Sequence, residues 1–162
     1  TCVEPFGRVR GQHSATAGNV FKSAGLHGLV IWKRHRLHLL TPDELRDGLE
    51  TADAWLGRAA AWDAARAEAE GREAADLHPV AFWNCFGSGG ASQIHPHMQL
   101  QLFDAPVAQE ALLLEQCRRY RQAAPGASSA GGLVPDLAGA HAHLGLALED
   151  PPDGAAACWA SL

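Results

Sequence analysis

The sequence predicts an α+β module, and three observations predict it. Residues 95–103 alternate, with His95, His97, Gln99, Gln101 and Phe103 in one set and Pro96, Met98, Leu100 and Leu102 in the other. That period of two marks a strand with one buried face. Residues 41–70 instead repeat apolar positions every three or four residues, as a helix packed along one stripe does. Short β-branched and aromatic runs at 27–33 and 78–85 supply further strands, for a sheet of at least four, and the short connection between the last two favours antiparallel pairing. A chain of 162 residues that is 47% hydrophobic can bury one real core.

In chain order, residues 1–18 mix Gly, Ser, Thr and basic side chains without periodicity and read as an irregular arm. Residues 19–22 read as a short strand, 23–26 as a turn and 27–33 as a strand with a β-branched centre. Thr41 then opens a helix: it can cap, Pro42 fits the first turn, and Glu44 completes a capping box at the positive end of the dipole. Leu45, Leu49, Ala52, Leu56, Ala59 and Trp62 form the stripe expected to face the sheet, and the helix is expected to reach about Glu70. Trp55 and Trp62 are read as core residues, not as a base-stacking platform.

Residues 78–85 read as a buried strand delivering a Gly-rich segment. After the strand at 95–103, residues 107–123 place Ala111, Leu114, Cys117 and Tyr120 at helical spacing, with Arg118, Arg119 and Arg121 as a solvated basic end. Residues 125–132 are a low-complexity break, and 133–148 read as one more helix. On that helix His141 and His143 point roughly 200° apart, so they cannot act on one atom. The chain thus divides into an arm over 1–18, a central module over 19–124, and a helical extension and tail over 133–162.

A net charge of −5 and a pI of about 5.9 provide no basic footprint for a nucleic acid polymer. No apolar run approaches the length of a membrane span and no signal-peptide pattern is present, so a soluble, intracellular protein is expected. The chain opens on Thr1 and not on Met, which leaves room for a preceding segment. Cys2, Cys85, Cys117 and Cys158 form no C-x-x-C pair and are expected as free thiols, without structural zinc.

The chemistry concentrates between Asn84 and Gln99. Gly87, Gly89 and Gly90 make a run in which backbone N–H groups can approach an anion closely. It leads into a strand presenting two imidazoles and two amides on one face. A phosphate held by the loop, beside a neutral nitrogen nucleophile, is an arrangement for attack on phosphorus by histidine.

Asn84, then Gly90-Ala-Ser92-Gln93, then His95-x-His97-x-Gln99 resembles the signature of the histidine triad superfamily, in its galactose-phosphate uridylyltransferase and dinucleoside polyphosphate phosphorylase branch. The resemblance implies that His97 attacks an α-phosphorus and becomes a covalent nucleotidyl-histidine. It further implies that His95 supports the site, that Ser92 donates to a phosphate oxygen, and that Gln99 replaces the third His of the hydrolase branch. Asn84, Gly89, Gly90 and Gln93 would contact the phosphates.

A second segment, His27-Gly-Leu-Val-Ile-Trp-Lys-Arg-His35, resembles the other half of the family pattern, with Asn19 eight residues before His27. His27 would be the distant member of the triad, beside the nucleotide. Two departures stand out: Phe86 replaces a common Gly, and Trp32 a common Pro. The resemblance covers about 19–103.

It implies a HIT-like antiparallel sheet with helices on one face, and a homodimer. The activity implied is that of a nucleotidyltransferase or phosphorylase acting on a nucleotide sugar or (di)nucleoside polyphosphate, with phosphate or a sugar phosphate as acceptor. It requires no cofactor and admits Mg²⁺. An amide at 99 cannot titrate, so transfer is favoured over plain hydrolysis. Two other readings remain: a metal site built on His95 and His97, and a non-catalytic module that keeps the fold within a larger assembly.

Overall fold

The computed structural model describes residues 3–123 together with 133, 136, 137 and 143. Contacts divide the chain into one unit over residues 1–107 and a second over 108–162. The first unit holds strands β1 (Ser14–Gly18), β2 (Leu26–Trp32), β3 (His78–Phe82) and β4 (His97–Phe103), and helix α1 (Pro42–Glu70). The second holds α2 (Ala108–Ala123). The sheet is ordered β1-β2-β4-β3 with every neighbour antiparallel, an α+β architecture as expected.

α1 begins as its sequence dictates. Thr41 Oγ1 accepts from the Glu44 N–H, and Glu44 Oε2 accepts from the Thr41 N–H, so two otherwise orphaned donors are satisfied reciprocally. Arg34 Nε lies 2.8 and 2.9 Å from the two Glu44 oxygens. That guanidinium, with the Thr41 N–H, holds the Glu44 carboxyl down at about 2. The helix ends at Gly71, whose φ of 65° places it in the left-handed region that glycine enters without strain.

The buried stripe of α1 is offset from the expected one. Gly48, Ala52, Trp55 and Ala59 face the sheet, whereas Leu49 is 58% exposed. Two absent side chains explain the offset. A Cβ on Gly28 of β2 would sit 2.6 Å from the Trp55 ring, and one on Gly48 would enter the Trp32 ring. Each indole therefore lies where the opposing element has only hydrogen. Trp32 also donates from Nε1 to the Glu44 carbonyl at 2.7 Å and stacks on Trp83 at 4.6 Å. Val30, Met98, Leu100 and Leu102 complete this core, with Trp62 packed at its edge.

The irregular arm expected over 1–18 contains β1, and the strand expected at 19–22 is instead part of the hairpin loop into β2. β1 turns Ser14, Thr16 and Gly18 inward, an alternation with no large apolar side chain to announce it. Its polar row is satisfied locally: Ser14 Oγ donates to Asp47 Oδ2 at 2.6 Å, and Thr16 Oγ1 accepts from the Val9 N–H at 2.9 Å. Burial pushes the Asp47 carboxyl up. The Ser14 hydroxyl and the N–H groups of His13 and Gln12 outweigh it and hold the group below its usual range.

The third expected strand is half-buried, not buried, because β3 lies at the sheet edge. Pro79 suits that edge. Cys85 and Cys117 are free thiols. Cys2, Cys158, His141, the break at 125–132 and the tail lie outside the described residues. Among the described residues no helix is long and apolar enough to cross a membrane.

Candidate functional site

The face of the sheet opposite α1 carries the alternate row of β4. Register sets His97 against Ile31, Gln99 against Leu29 and Gln101 against His27. An open cavity of about 220 Å³ lies over this row. Leu29 and Ile31 form its apolar wall, and Asn19, Ser92, Gln93, His95, His97 and Gln99 its polar one. Among the described residues no Lys or Arg lines it.

Three of the four ring nitrogens of His95 and His97 face an identifiable partner. His97 Nδ1 lies 2.9 Å from the carbonyl of His95, which can only accept. Nδ1 therefore carries a proton, and in the neutral tautomer this selects, the lone pair is on Nε2. His95 Nε2 likewise donates to the Trp32 carbonyl at 2.6 Å, and His95 Nδ1 lies 2.8 Å from His35 Nδ1, the two rings meeting edge to face. His95 is thus held by hydrogen bonds at both nitrogens, whereas His97 is held at one.

His27 does not line the cavity. It is 2% exposed and sits behind Gln99, with Nε2 3.0 Å from Gln99 Oε1 and 2.9 Å from Asn19 Nδ2. The Asn19 Oδ1 accepts from the Phe21 N–H, which anchors that amide to the hairpin loop. Asn19, Gln99 and His27 therefore meet although 72 residues separate His27 from Gln99.

The glycine loop is arranged differently from the expectation. Gly87–Gly89 form one tight turn in which the Gly89 and Ala91 N–H groups donate to the Phe86 carbonyl and the Gly90 N–H to that of Gly87. The amides of Gly89 and Gly90, expected to contact phosphate, are thereby engaged within the loop, and neither residue lines the cavity. Asn84 lies beneath the turn, its Nδ2 3.8 Å from the place a Gly90 Cβ would occupy, and does not line the cavity either. Phe86 adopts φ 61° and ψ 165°. Such a backbone favours glycine, so the phenylalanine here carries strain.

Sequence reasoning singled out neither His35 as a partner of His95 nor Ser23 and Leu29 as site residues. His35 was visible as the end of the Lys33-x-His35 run. Ser23 had no signal, since its role depends on where a hairpin loop folds. Among the described residues no group of three or more His, Cys, Asp or Glu is placed to hold a metal ion. His95 turns its free lone pair toward His35, so His95 and His97 do not offer two lone pairs to one ion. A larger cavity of about 470 Å³ lies at the opposite end of β4, around Glu4, Lys22, Trp62 and Arg72. None of the predicted site residues lines it, and its cations are already paired, Lys22 with Glu4 and Arg72 with Asp63 and Glu70.

No family model matches the chain, and no curated protein matches it. Solved structures that it resembles include one described as a HIT-like protein, at 12% identity over 62% of this chain and 85% of the other, with a TM-score of 0.45. A histidine triad nucleotide-binding protein from Candida albicans matches at 16% identity over 59% of this chain and 63% of its own, with a TM-score of 0.44. A HIT family hydrolase from Legionella pneumophila matches at 22% identity over 57% and 75%, with a TM-score of 0.36.

Proposed function

We propose that the cavity over β4 handles a nucleotide, and that His97 transfers a nucleotidyl group through a covalent nucleotidyl-histidine. The observation that carries this reading is the hydrogen bond from His97 Nδ1–H to the His95 carbonyl, which makes Nε2 the ring nitrogen left for chemistry on a side chain that lines an open cavity. An imidazole nitrogen with a lone pair is a nucleophile that can attack phosphorus. Nε2 forms a bond to the α-phosphorus as the bond to the departing sugar phosphate, or nucleoside polyphosphate, breaks. An acceptor phosphate or sugar phosphate then takes the nucleotidyl group and frees the ring.

The polar wall supports such a step with neutral donors: the Ser92 hydroxyl and the amides of Gln93, Gln99 and Asn19. Neutral donors suit an interior phosphorus bearing a single negative charge, as in a nucleotide sugar or dinucleoside polyphosphate, better than a dianionic terminal phosphate. Leu29 and Ile31 offer an apolar surface to the rest of the ligand. Gln99 cannot deliver a proton to a leaving group, which favours transfer over hydrolysis. The reading takes the protein as a nucleotidyltransferase or phosphorylase of the histidine triad type, working as a homodimer, with Mg²⁺ brought by the substrate where its outer phosphates need neutralising.

A screen of radiolabelled nucleoside diphosphate sugars and dinucleoside polyphosphates, with and without inorganic phosphate, tests it. Wild type is expected to become labelled and to release the label to phosphate or a sugar phosphate, and His97→Ala to do neither. Labelling that persists in His97→Ala overturns the assignment.

A further inference from the structure

The proposed chemistry leaves one need unmet: among the described residues no lysine or arginine stands on the cavity wall to meet the charge of a phosphate. A pair of histidines borders that wall. His35 is exposed in the segment that follows β2, and its Nδ1 lies 2.8 Å from Nδ1 of His95, which lines the cavity. His95 Nε2 meets the Trp32 carbonyl at 2.6 Å. Neither ring has another hydrogen-bond partner among the described residues.

We infer that His35 and His95 form a proton-sharing pair that supplies one positive charge to the cavity wall, so that an anionic ligand binds there with uptake of one proton. The inference rests on the nucleotide reading for its ligand, whereas the proton count follows from the contacts alone. A carbonyl can only accept, so His95 Nε2 carries a hydrogen in every state of the pair. Between two nitrogens 2.8 Å apart there is room for one hydrogen.

Those constraints leave two closed states. In the uncharged one, His95 Nδ1 is a lone pair, the shared hydrogen belongs to His35 Nδ1, and His35 Nε2 is bare. An added proton enters at His35 Nε2, and the shared hydrogen can then sit on either Nδ1, which carries the charge to the ring on the cavity wall. A second proton would need two hydrogens between the Nδ1 atoms and would open the pair. One charge matches that of a single interior phosphate. The charged side chains beside the pair are otherwise engaged or outside the cavity: Arg34 is held by Glu44, Lys33 donates to the Gln12 carbonyl, Asp47 accepts from the Gln12 and His13 N–H groups, and Arg36 is exposed. His97 is the one other titratable group on the wall.

Ring nitrogen shifts, followed by NMR on the ligand-free protein from high to low pH, test the pair directly. His95 Nε2 is expected to stay protonated throughout, and the first proton to enter at His35 Nε2 with both rings shifting together. Calorimetry on His97→Ala, which contributes no imidazole of its own, then follows binding of dinucleoside polyphosphates in buffers of different ionisation heat. Over the pH range in which the free pair loses its proton, binding is expected to take one up. Affinity should weaken as pH rises, by at most about tenfold per unit, the limit for one proton. Adding His35→Arg at this exposed position places a fixed charge and a donor beside His95. It is expected to abolish the uptake and hold the affinity at its low-pH value.

A free protein with His95 bare at Nε2, rings that titrate independently, or a proton uptake unchanged by His35→Arg overturns the inference. If the free pair titrates as one while no nucleotide binds or labels the protein, the proposed function fails and the proton-sharing pair stands. Labelling of His97 in a protein whose two rings titrate independently does the reverse.

Discussion

The two faces of the sheet are built from the same strands and to opposite rules. On the α1 face, Val30, Trp32, Met98, Leu100 and Leu102 meet Trp55 and Ala59 with little or no exposure. Opposite them His97 and Gln99 stand half-buried around an open cavity, and both ring nitrogens of His95 and of His27 and Nδ1 of His97 have partners close enough to orient them. Close packing on the first face makes the second rigid, because β4 contributes alternate residues to both. A strand held by its apolar row presents its polar row at a fixed angle, and preorganised polar groups need little reorganisation when charge develops.

Variants on each face separate stability from chemistry. The largest effect is expected from His97→Ala, which should abolish labelling while changing stability by less than about 1 kcal/mol, since the ring is half-buried and its removal strands only a carbonyl; denaturant unfolding beside the labelling assay checks both. Trp55→Ala is the counterpart on the packed face. Opening a cavity under Gly28 should lower stability by about 3–5 kcal/mol, seen as a lower urea midpoint, with labelling per folded molecule retained. A Trp55→Ala protein as stable as wild type would break the contrast.

Smaller changes sharpen it. Phe86→Gly relieves a backbone of φ 61° at the expense of unfolded-chain entropy, and the balance should stabilise the protein by about 1 kcal/mol. A thermal melt that falls on this substitution would show that the Phe86 ring contributes more than its backbone strains.

The smallest effect is the pH response of Glu44. Its carboxyl is lowered from 4.5 to about 2 in the fold, so its contribution is complete above 4.5 and disappears as pH falls toward 2. Glu44→Gln should therefore flatten the acid limb of a stability profile between those values and leave the neutral region less stable than wild type. An unchanged acid limb would show that Arg34 does not depend on the charge.

Local rules made much of this legible in advance. The capping box at Thr41 and Glu44, the end of α1 at Glu70, and the alternation through β4 each depend on neighbours within a few residues, and so can be read along the chain. Rules based on apolar spacing failed where glycine or hydroxyl side chains took the inward positions, as at Gly48 in α1 and at Ser14 and Thr16 in β1. Such residues are buried because of what packs against them.

By itself the sequence determined that His97, Gln99 and Gln101 share one face of a strand, because a period of two follows from backbone geometry alone; His95, expected on the same strand, lies in the bend just before β4. Only the tertiary structure decided what each of those side chains does. The antiparallel register brings His27 behind Gln99, the hairpin loop brings Ser23 to His27, and the turn at Gly87–Gly89 keeps its own amides. Those outcomes depend on hydrogen-bond partners tens of residues away, and a donor or acceptor has no fixed role until its partner is in place.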